Sequence, residues 1–247
     1  MKLLLTVSAL ALALASPAMA GQLSGSVGVT NNYVARGTAQ NYNGGPSVML
    51  NANYDFDSGF YVGGFAANVD FEEDEFGFDE ATKVELSGWA GYRHKVGPVT
   101  LDYMFGSYNY LGDNDIPLDM IEAKVAATVP VGKASVTSSV GWTPDYFAIL
   151  GSSWWVDTTV SYPVTPKITA SAGVGRQIID ERGNGVSAPF NPDGYSYTTW
   201  NLGATYQVNP KWSVEARYYD TDRSDLGAVY SANPYGKQFA VTVRRGF

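Results

Sequence analysis

The chain of 247 residues has no cysteine and a single histidine. The missing thiols exclude disulfides, cysteine nucleophiles and every Cys-ligated zinc or iron–sulfur site. With His94 as the sole imidazole, multi-histidine metal sites are excluded, and a Ser–His nucleophile would have to use that one ring. Charge is scarce as well. Charged residues make up 16%, against the ~25% usual for soluble proteins. Basic charge is the scarcer kind: 16 Lys+Arg face 24 Asp+Glu, a net charge of −8, which argues against a nucleic-acid partner. After residue 20 no stretch carries a helical hydrophobic period, and none approaches the ~20 apolar residues of a membrane-spanning helix.

What is abundant is glycine (27) and aromatic side chains (17 Tyr, 11 Phe, 6 Trp). The first twenty residues read as an export signal: Lys2, an apolar run Leu3–Ala15, Pro17, and Ala18-Met19-Ala20 before Gly21. Residues 21–247 then form one domain.

That domain alternates with period two. In Trp212–Tyr218, Trp212, Val214, Ala216 and Tyr218 share one face and Ser213, Glu215 and Arg217 the other. Met120–Val129 sets Ile121, Ala123, Val125, Ala127 and Val129 against Glu122, Lys124, Ala126 and Thr128. Such alternation marks half-buried strands. Ten further segments read alike: Leu23–Ala35, Ser47–Phe56, Phe60–Phe71, Lys83–Lys95, Val99–Tyr110, Ser135–Thr143, Trp154–Tyr162, Ile168–Gln177, Tyr197–Val208 and Gln238–Phe247. The connections alternate too. Short turns (Asp57–Gly59, Val96–Pro98, Pro130–Lys133, Pro163–Lys167, Asn209–Lys211) take turns with long polar loops (Arg36–Pro46, Glu72–Thr82, Leu111–Asp119, Pro144–Ser153, Ile178–Ser196, Thr221–Lys237). The expected fold is all-β: an antiparallel transmembrane β-barrel of about twelve strands with short periplasmic turns and long outer loops. It predicts a bacterial outer-membrane location after signal cleavage.

Aromatic placement agrees with two membrane-interface belts. Trp142, Trp154 and Trp200 fall at long-loop ends, Trp212 at a short-turn end, and Tyr54, Tyr61, Tyr92, Tyr162 and Tyr206 near strand ends. The terminal Phe247, with Val243, Val241 and Phe239 at alternate positions before it, matches a barrel-assembly signal, interrupted by Arg245.

The stretch Asn32-Tyr33-Val34-Ala35-Arg36-Gly37-Thr38-Ala39-Gln40 resembles the opening signature of the TorF-type putative porins: Tyr33, Arg36-Gly37 and Gln40 at the expected spacing. Ser58–Gly63, Asn68–Phe71 and Trp89–Arg93 agree with it, so the resemblance is dense over Leu23–Arg93 and architectural afterwards. Ala35 and Ala39 depart from the pattern. The resemblance implies an outer-membrane barrel with a porin role and no assigned substrate. Physically, Gly37 permits positive φ, Arg36 can fork onto a carboxylate, and Gln40 can satisfy loop backbone groups, so a loop staple is the expected role.

With the apolar face toward lipid, the pore-lining candidates are Asp55, Glu85, Arg93, Asp102, Glu122, Lys124, Asp157, Glu215, Arg217 and Arg244, joined by Asn51, Asn53, Asn68, Asp70 and Asn201. Small inward positions (Ser24, Ser26, Gly28, Ser87, Gly91, Ser139, Thr159, Ser171, Gly173, Gly203) predict open space, and the acidic excess predicts weak cation preference. Seven acids in Asp70–Glu80 match no calcium-loop spacing and read as a solvated loop. No cofactor and no metal is expected. His94 beside Lys95–Pro98 reads as a turn residue on the periplasmic side, away from outer-leaflet lipid, and no Gly-x-Ser-x-Gly elbow occurs. Glu85 and Asp102 are a conceivable but weak glycosidase pair.

The function expected is a non-enzymatic porin-like channel for small polar solutes or ions. The alternatives are a non-conducting barrel acting through its loops and, more weakly, a barrel lipid hydrolase. Expected partners are membrane lipid, lipopolysaccharide and the assembly machinery that reads the strand ending in Phe247.

Overall fold

The computed structural model describes residues 21–42, 44–71, 82–112, 118–148, 150–180, 194–227 and 233–247. The strands are β1 (Gly21–Thr30), β2 (Val34–Ala35), β3 (Thr38–Ala39), β4 (Ser47–Phe56), β5 (Phe60–Asn68), β6 (Thr82–Val96), β7 (Val99–Gly112), β8 (Met120–Val131), β9 (Ala134–Thr143), β10 (Ser153–Thr165), β11 (Ile168–Ile179), β12 (Tyr195–Asn209), β13 (Trp212–Thr221) and β14 (Gln238–Gly246). Twelve of them close into an antiparallel barrel, each paired with its neighbour in sequence, and β1 pairs with β14 to complete the ring. The short hairpin β2–β3 stands apart from that wall. The expected export segment and the acidic run Glu72–Glu80 lie outside the described residues.

The period-two pattern decides which way each strand faces. Large apolar residues at alternate positions are exposed on the outside: Leu23, Val27 and Val29 of β1, Ile121 and Val125 of β8, Val156 and Val160 of β10, Phe239, Val241 and Val243 of β14. The opposite parity points inward and carries the polar set. This inverts the arrangement of a soluble protein and suits a wall solvated by lipid chains.

Stepping between paired inward residues from Ser26 through Asn51, Phe65, Ser87, Tyr108 and Met120, and onward round the ring, returns to β1 displaced toward the long loops. The displacement is about 16 residues, which for strands ~4.8 Å apart rising ~3.3 Å per residue gives a tilt near ~43° and a backbone radius of roughly 12 Å. Such a barrel is too wide for wall side chains alone to fill as they do in eight-stranded barrels.

Several expectations need correction. The predicted strand Leu23–Ala35 stops at Thr30, because Asn31 and Asn32 turn the chain: the Asn31 amide nitrogen donates to Phe239 O (3.2 Å) and that of Asn32 to Gln238 Oε1 (2.7 Å). Tyr61 faces inward, not into a belt, and its hydroxyl donates to Asp102 Oδ1 (2.5 Å). Asn68 faces outward: its amide donates to Pro46 O (3.1 Å) and accepts from Val48 N (2.7 Å). Asp70 lies past the end of β5, bridged to Asn41. His94 is not in a turn. It sits within β6 on the outward face, stacked against Tyr92 (centroids 5.4 Å) and Tyr103 (5.9 Å) in the belt at the short-turn end.

Candidate functional site

All ten pore-lining candidates occupy inward parity, but they separate into two environments. Near the short turns the interior is wet and ion-paired. Arg93 Nη2 lies 3.0 Å from Asp102 Oδ2 and Nη1 3.2 Å from Asp55 Oδ1, with the guanidinium 4.6 Å over the Tyr61 ring. Asp55 and Arg93 remain 44% and 45% exposed. On the neighbouring arc, Arg217 donates to Glu215 Oε1 (3.2 Å), Asn201 Oδ1 (2.5 Å) and Ser171 Oγ (2.5 Å). Arg244 lies 3.6 Å from the same Glu215. Asp157 accepts from Ser139 and from Trp155 Nε1 (3.0 Å). Lys124 and Asp157 sit in the long-loop halves of β8 and β10; nearer the short turns Asp55, Asp102 and Glu215 balance Arg93, Arg217 and Arg244, so the acidic excess expected of the lumen is not found there.

Near the long loops the interior is filled, and the filling is the signature segment itself. After β1 the chain folds inward as the hairpin β2–β3, with Val34 opposite Ala39 and Ala35 opposite Thr38. Its two-residue tip is Arg36-Gly37, both with positive φ (51° and 82°), the type I′ geometry of tight hairpins. Glycine adopts it freely, and a Cβ at Gly37 would collide with Thr199 on β12. Arginine does not adopt it freely; a non-glycine residue in this region costs of order ~1 kcal/mol or more. The side chain's partners hold it there.

Those partners come from the far wall. Arg36 Nη2 forms an ion pair with Glu122 of β8, nearly opposite β1 round the ring. Its Nη1 reaches Gln177 Oε1 on β11 (3.4 Å), and its guanidinium lies 5.5 Å over the Trp155 ring of β10. Glu122 is 2% and Gln177 0% exposed. Burial works against the Arg36 charge, but Glu122 outweighs it and keeps the group firmly protonated. Tyr33 Oη donates to Glu85 Oε2 of β6 (3.0 Å), and Ser87 Oγ donates to Glu85 Oε1 (2.9 Å). Burial first, and then the Glu85 carboxylate, hold the Tyr33 phenol well above its usual range, so it stays a donor. Thr38 Oγ1 and Tyr197 Oη share a hydrogen bond (3.3 Å). Gln40 donates its amide to Thr38 O (2.9 Å), and its backbone N to Tyr33 O (2.7 Å). The four signature residues thus act as one brace across the barrel, deeper inside it than a rim staple.

Aromatic packing adds to the filling. Val69, Phe71 and Tyr110 form one buried cluster with Tyr33, Tyr42 and Phe147 against it; Met120, Tyr146 and Ile179 form another. The loop before β14 adds Pro234, whose carbonyl accepts from Ala39 N (3.0 Å), and Tyr235, which packs edge-on against Tyr197 (5.2 Å). Of the long loops Ile178–Ser196 and Thr221–Lys237, residues 181–193 and 228–232 lie outside the described residues. Among the described residues, the loop after β1 and residues 233–235 enter the lumen.

Three of the small inward positions are not open space: a Cβ at Gly91 would strike Tyr61, at Gly173 Asn201, and at Gly203 the Ala216 carbonyl and Arg217. The same holds at two inward glycines not singled out in the sequence, Gly63 against Trp89 and Asn53, and Gly175 against Trp155. Each is a notch that receives a neighbour's large inward side chain. Trp89 and Trp155, which the sequence reading did not place in the lumen, face inward and use those notches; their parity, shared with Glu85 and Asp157 on the same strands, was the available signal. Glu85 and Asp102 are far apart: Asp102 pairs with Arg93, eight residues along β6 from Glu85, roughly 26 Å at strand rise. They cannot act as a glycosidase pair.

No curated protein is similar in sequence. Solved structures share the fold: a KdgM porin in complex with disordered oligogalacturonate (10% identity, 91% of this chain and 98% of that one, TM-score 0.54), and a NanC porin (12% identity, 92% and 99%, TM-score 0.54). The architecture is therefore that of outer-membrane barrels. Residues 14–247 match the model of a family described as "Bacterial protein of unknown function (Gcw_chp)", and the chain belongs to that family.

Proposed function

We propose that this protein is an outer-membrane, porin-like channel for small polar solutes or ions, held closed at its outer end by the Arg36 brace. The observation that carries the reading is the contrast within one lumen. Charged side chains stand nearly half exposed near the short turns, while the seal above them rests on polar and ionic contacts to a hairpin that belongs to no wall strand. A polar latch can exchange its partners for water, which an apolar core does only at greater cost. The likeness of Tyr33, Arg36-Gly37 and Gln40 to the TorF-type porins supports the same reading, and the KdgM and NanC barrels share its architecture. In this arrangement the short turns are periplasmic, the strand ending in Phe247 is offered to the assembly machinery, and no chemistry is performed.

The test is single-channel recording of the refolded barrel in a planar bilayer, after its heat-dependent gel shift shows that it is folded. The native chain should give rare or small openings, and Arg36→Ala or removal of 34–39 should give frequent, larger steps. The balanced wet half predicts a reversal potential near zero in a salt gradient. Folded barrels that stay silent with and without the hairpin would instead favour a non-conducting barrel acting through its long loops, a reading supported by the filled outer half.

A further inference from the structure

The outward face carries a charge that the channel reading does not use. Along β11 the lipid-facing positions run Ile168, Ala170, Ala172, Val174, Arg176 and Ile178. Arg176 is exposed within this apolar row. Its Nη1 donates to Thr198 Oγ1 (3.0 Å) and its Nη2 to Ser196 Oγ (2.7 Å), both on β12. Thr198 is directly opposite Arg176, whereas Ser196 pairs with Ile178, nearer the long loops. The guanidinium therefore leans toward the long-loop end. Two tryptophans bracket it: Trp154 pairs with Ile178 on one side, and Trp200 with Val174 on the other. That places Arg176 inside the aromatic belt, at headgroup depth.

No carboxylate among the described residues forms an ion pair with it. The acids of the same rim are otherwise engaged: Asp222 accepts from Thr198 N (2.7 Å) and Asp180 from Ser152 Oγ (2.5 Å). A guanidinium has five N–H donors in a planar fork, and the two hydroxyls take only part of them. An unpaired cation facing lipid is costly in proportion to depth and is relieved by an anion of matching geometry. Phosphate accepts such a fork in bidentate fashion.

We propose that Arg176, held in orientation by Ser196 and Thr198, is a seat for a lipid A phosphate of lipopolysaccharide in the outer leaflet. This rests on the proposed orientation, with the long loops outside. Arg245, exposed on the outward face beside Trp212 at the opposite end, belongs to the other leaflet and serves as the internal control.

The full-length barrel, with its folding checked by gel shift, would be titrated in detergent with lipopolysaccharide and followed by native mass spectrometry. Lipopolysaccharide treated with phosphatase and phosphatidylglycerol form the comparison arms. The native chain should bind the phosphorylated form, Arg176→Gln should lower affinity about tenfold, Arg176→Lys should fall between, and Arg245→Gln should leave it unchanged. Equal binding by the native chain and Arg176→Gln, or by phosphorylated and dephosphorylated lipopolysaccharide, overturns the proposal. Arg176-dependent binding of phosphatidylglycerol as tight as that of lipopolysaccharide overturns its choice of lipid. Cysteine labelling at residue 115 in intact cells separates this from the underlying reading: inaccessible long loops would overturn the orientation, and with it the proposal. Channel activity does not enter, so a silent barrel that binds lipopolysaccharide through Arg176 leaves the proposal standing.

Discussion

The two halves of this barrel's interior are built from the same strands at the same parity, yet they solve the burial of charge differently. In the half near the short turns, Arg93, Asp55 and Asp102 keep their water and their ion pairs together. In the half near the long loops, Glu85 and Glu122 have lost their water to a hairpin that supplies a phenol and a guanidinium in its place. A charge left in water tolerates the loss of a partner; one enclosed by protein does not. The same inward carboxylate is therefore an exchangeable surface group in one half and an essential contact in the other.

This contrast can be broken most forcefully at Glu122. Arg36→Ala leaves its carboxylate enclosed and unpaired, an effect of about 3–5 kcal/mol on the brace, read as lost protection of the hairpin in hydrogen exchange and as larger channel openings. The double change Arg36→Met with Glu122→Met should recover most of that loss, since it leaves no stranded charge. Gly37→Val comes next: its side chain would meet Thr199 at positive φ, weakening the hairpin by more than ~1 kcal/mol with the ion pair chemically intact. Tyr33→Phe removes one donor from Glu85 while Ser87 remains, about 1–2 kcal/mol by urea denaturation. The smallest effect is expected at Arg93→Gln in the wet half, within ~1 kcal/mol by the same assay. An Arg93 effect as large as that of Arg36 would erase the distinction between the halves.

Much of the architecture was legible in the sequence because lipid enforces it. Most lipid-facing positions of a wall strand are apolar, so thirteen of the fifteen proposed inward residues could be given a face from parity alone, Asn68 and Asp70 being the exceptions, and the alternation of short and long connections indicated the number of strands. What failed has a common physical origin. Val34 and Ala35 continue the apolar character of β1, so the departure of the chain at Asn31-Asn32 was invisible; the side-chain bonds that turn it join residues some two hundred positions apart. Glycine facing inward reads as space when only its own strand is considered. Whether the gap is filled depends on the neighbouring strand, as with Trp155 beside Gly175. Arg36 and Gln40 stood out by spacing, but the depth to which they reach is a property of the closed ring.

The brace also bears on the order of events during assembly. It is tethered to β1, the strand that must meet β14 to close the wall; that seam runs over residues 25–31 against 241–247, whereas β1 pairs along its whole length with β4. Arg36 seeks partners 86 and 141 residues away, positions that face it only once the cylinder exists. A nascent barrel should thus pass through a closed but unbraced stage before the hairpin swings into its lumen.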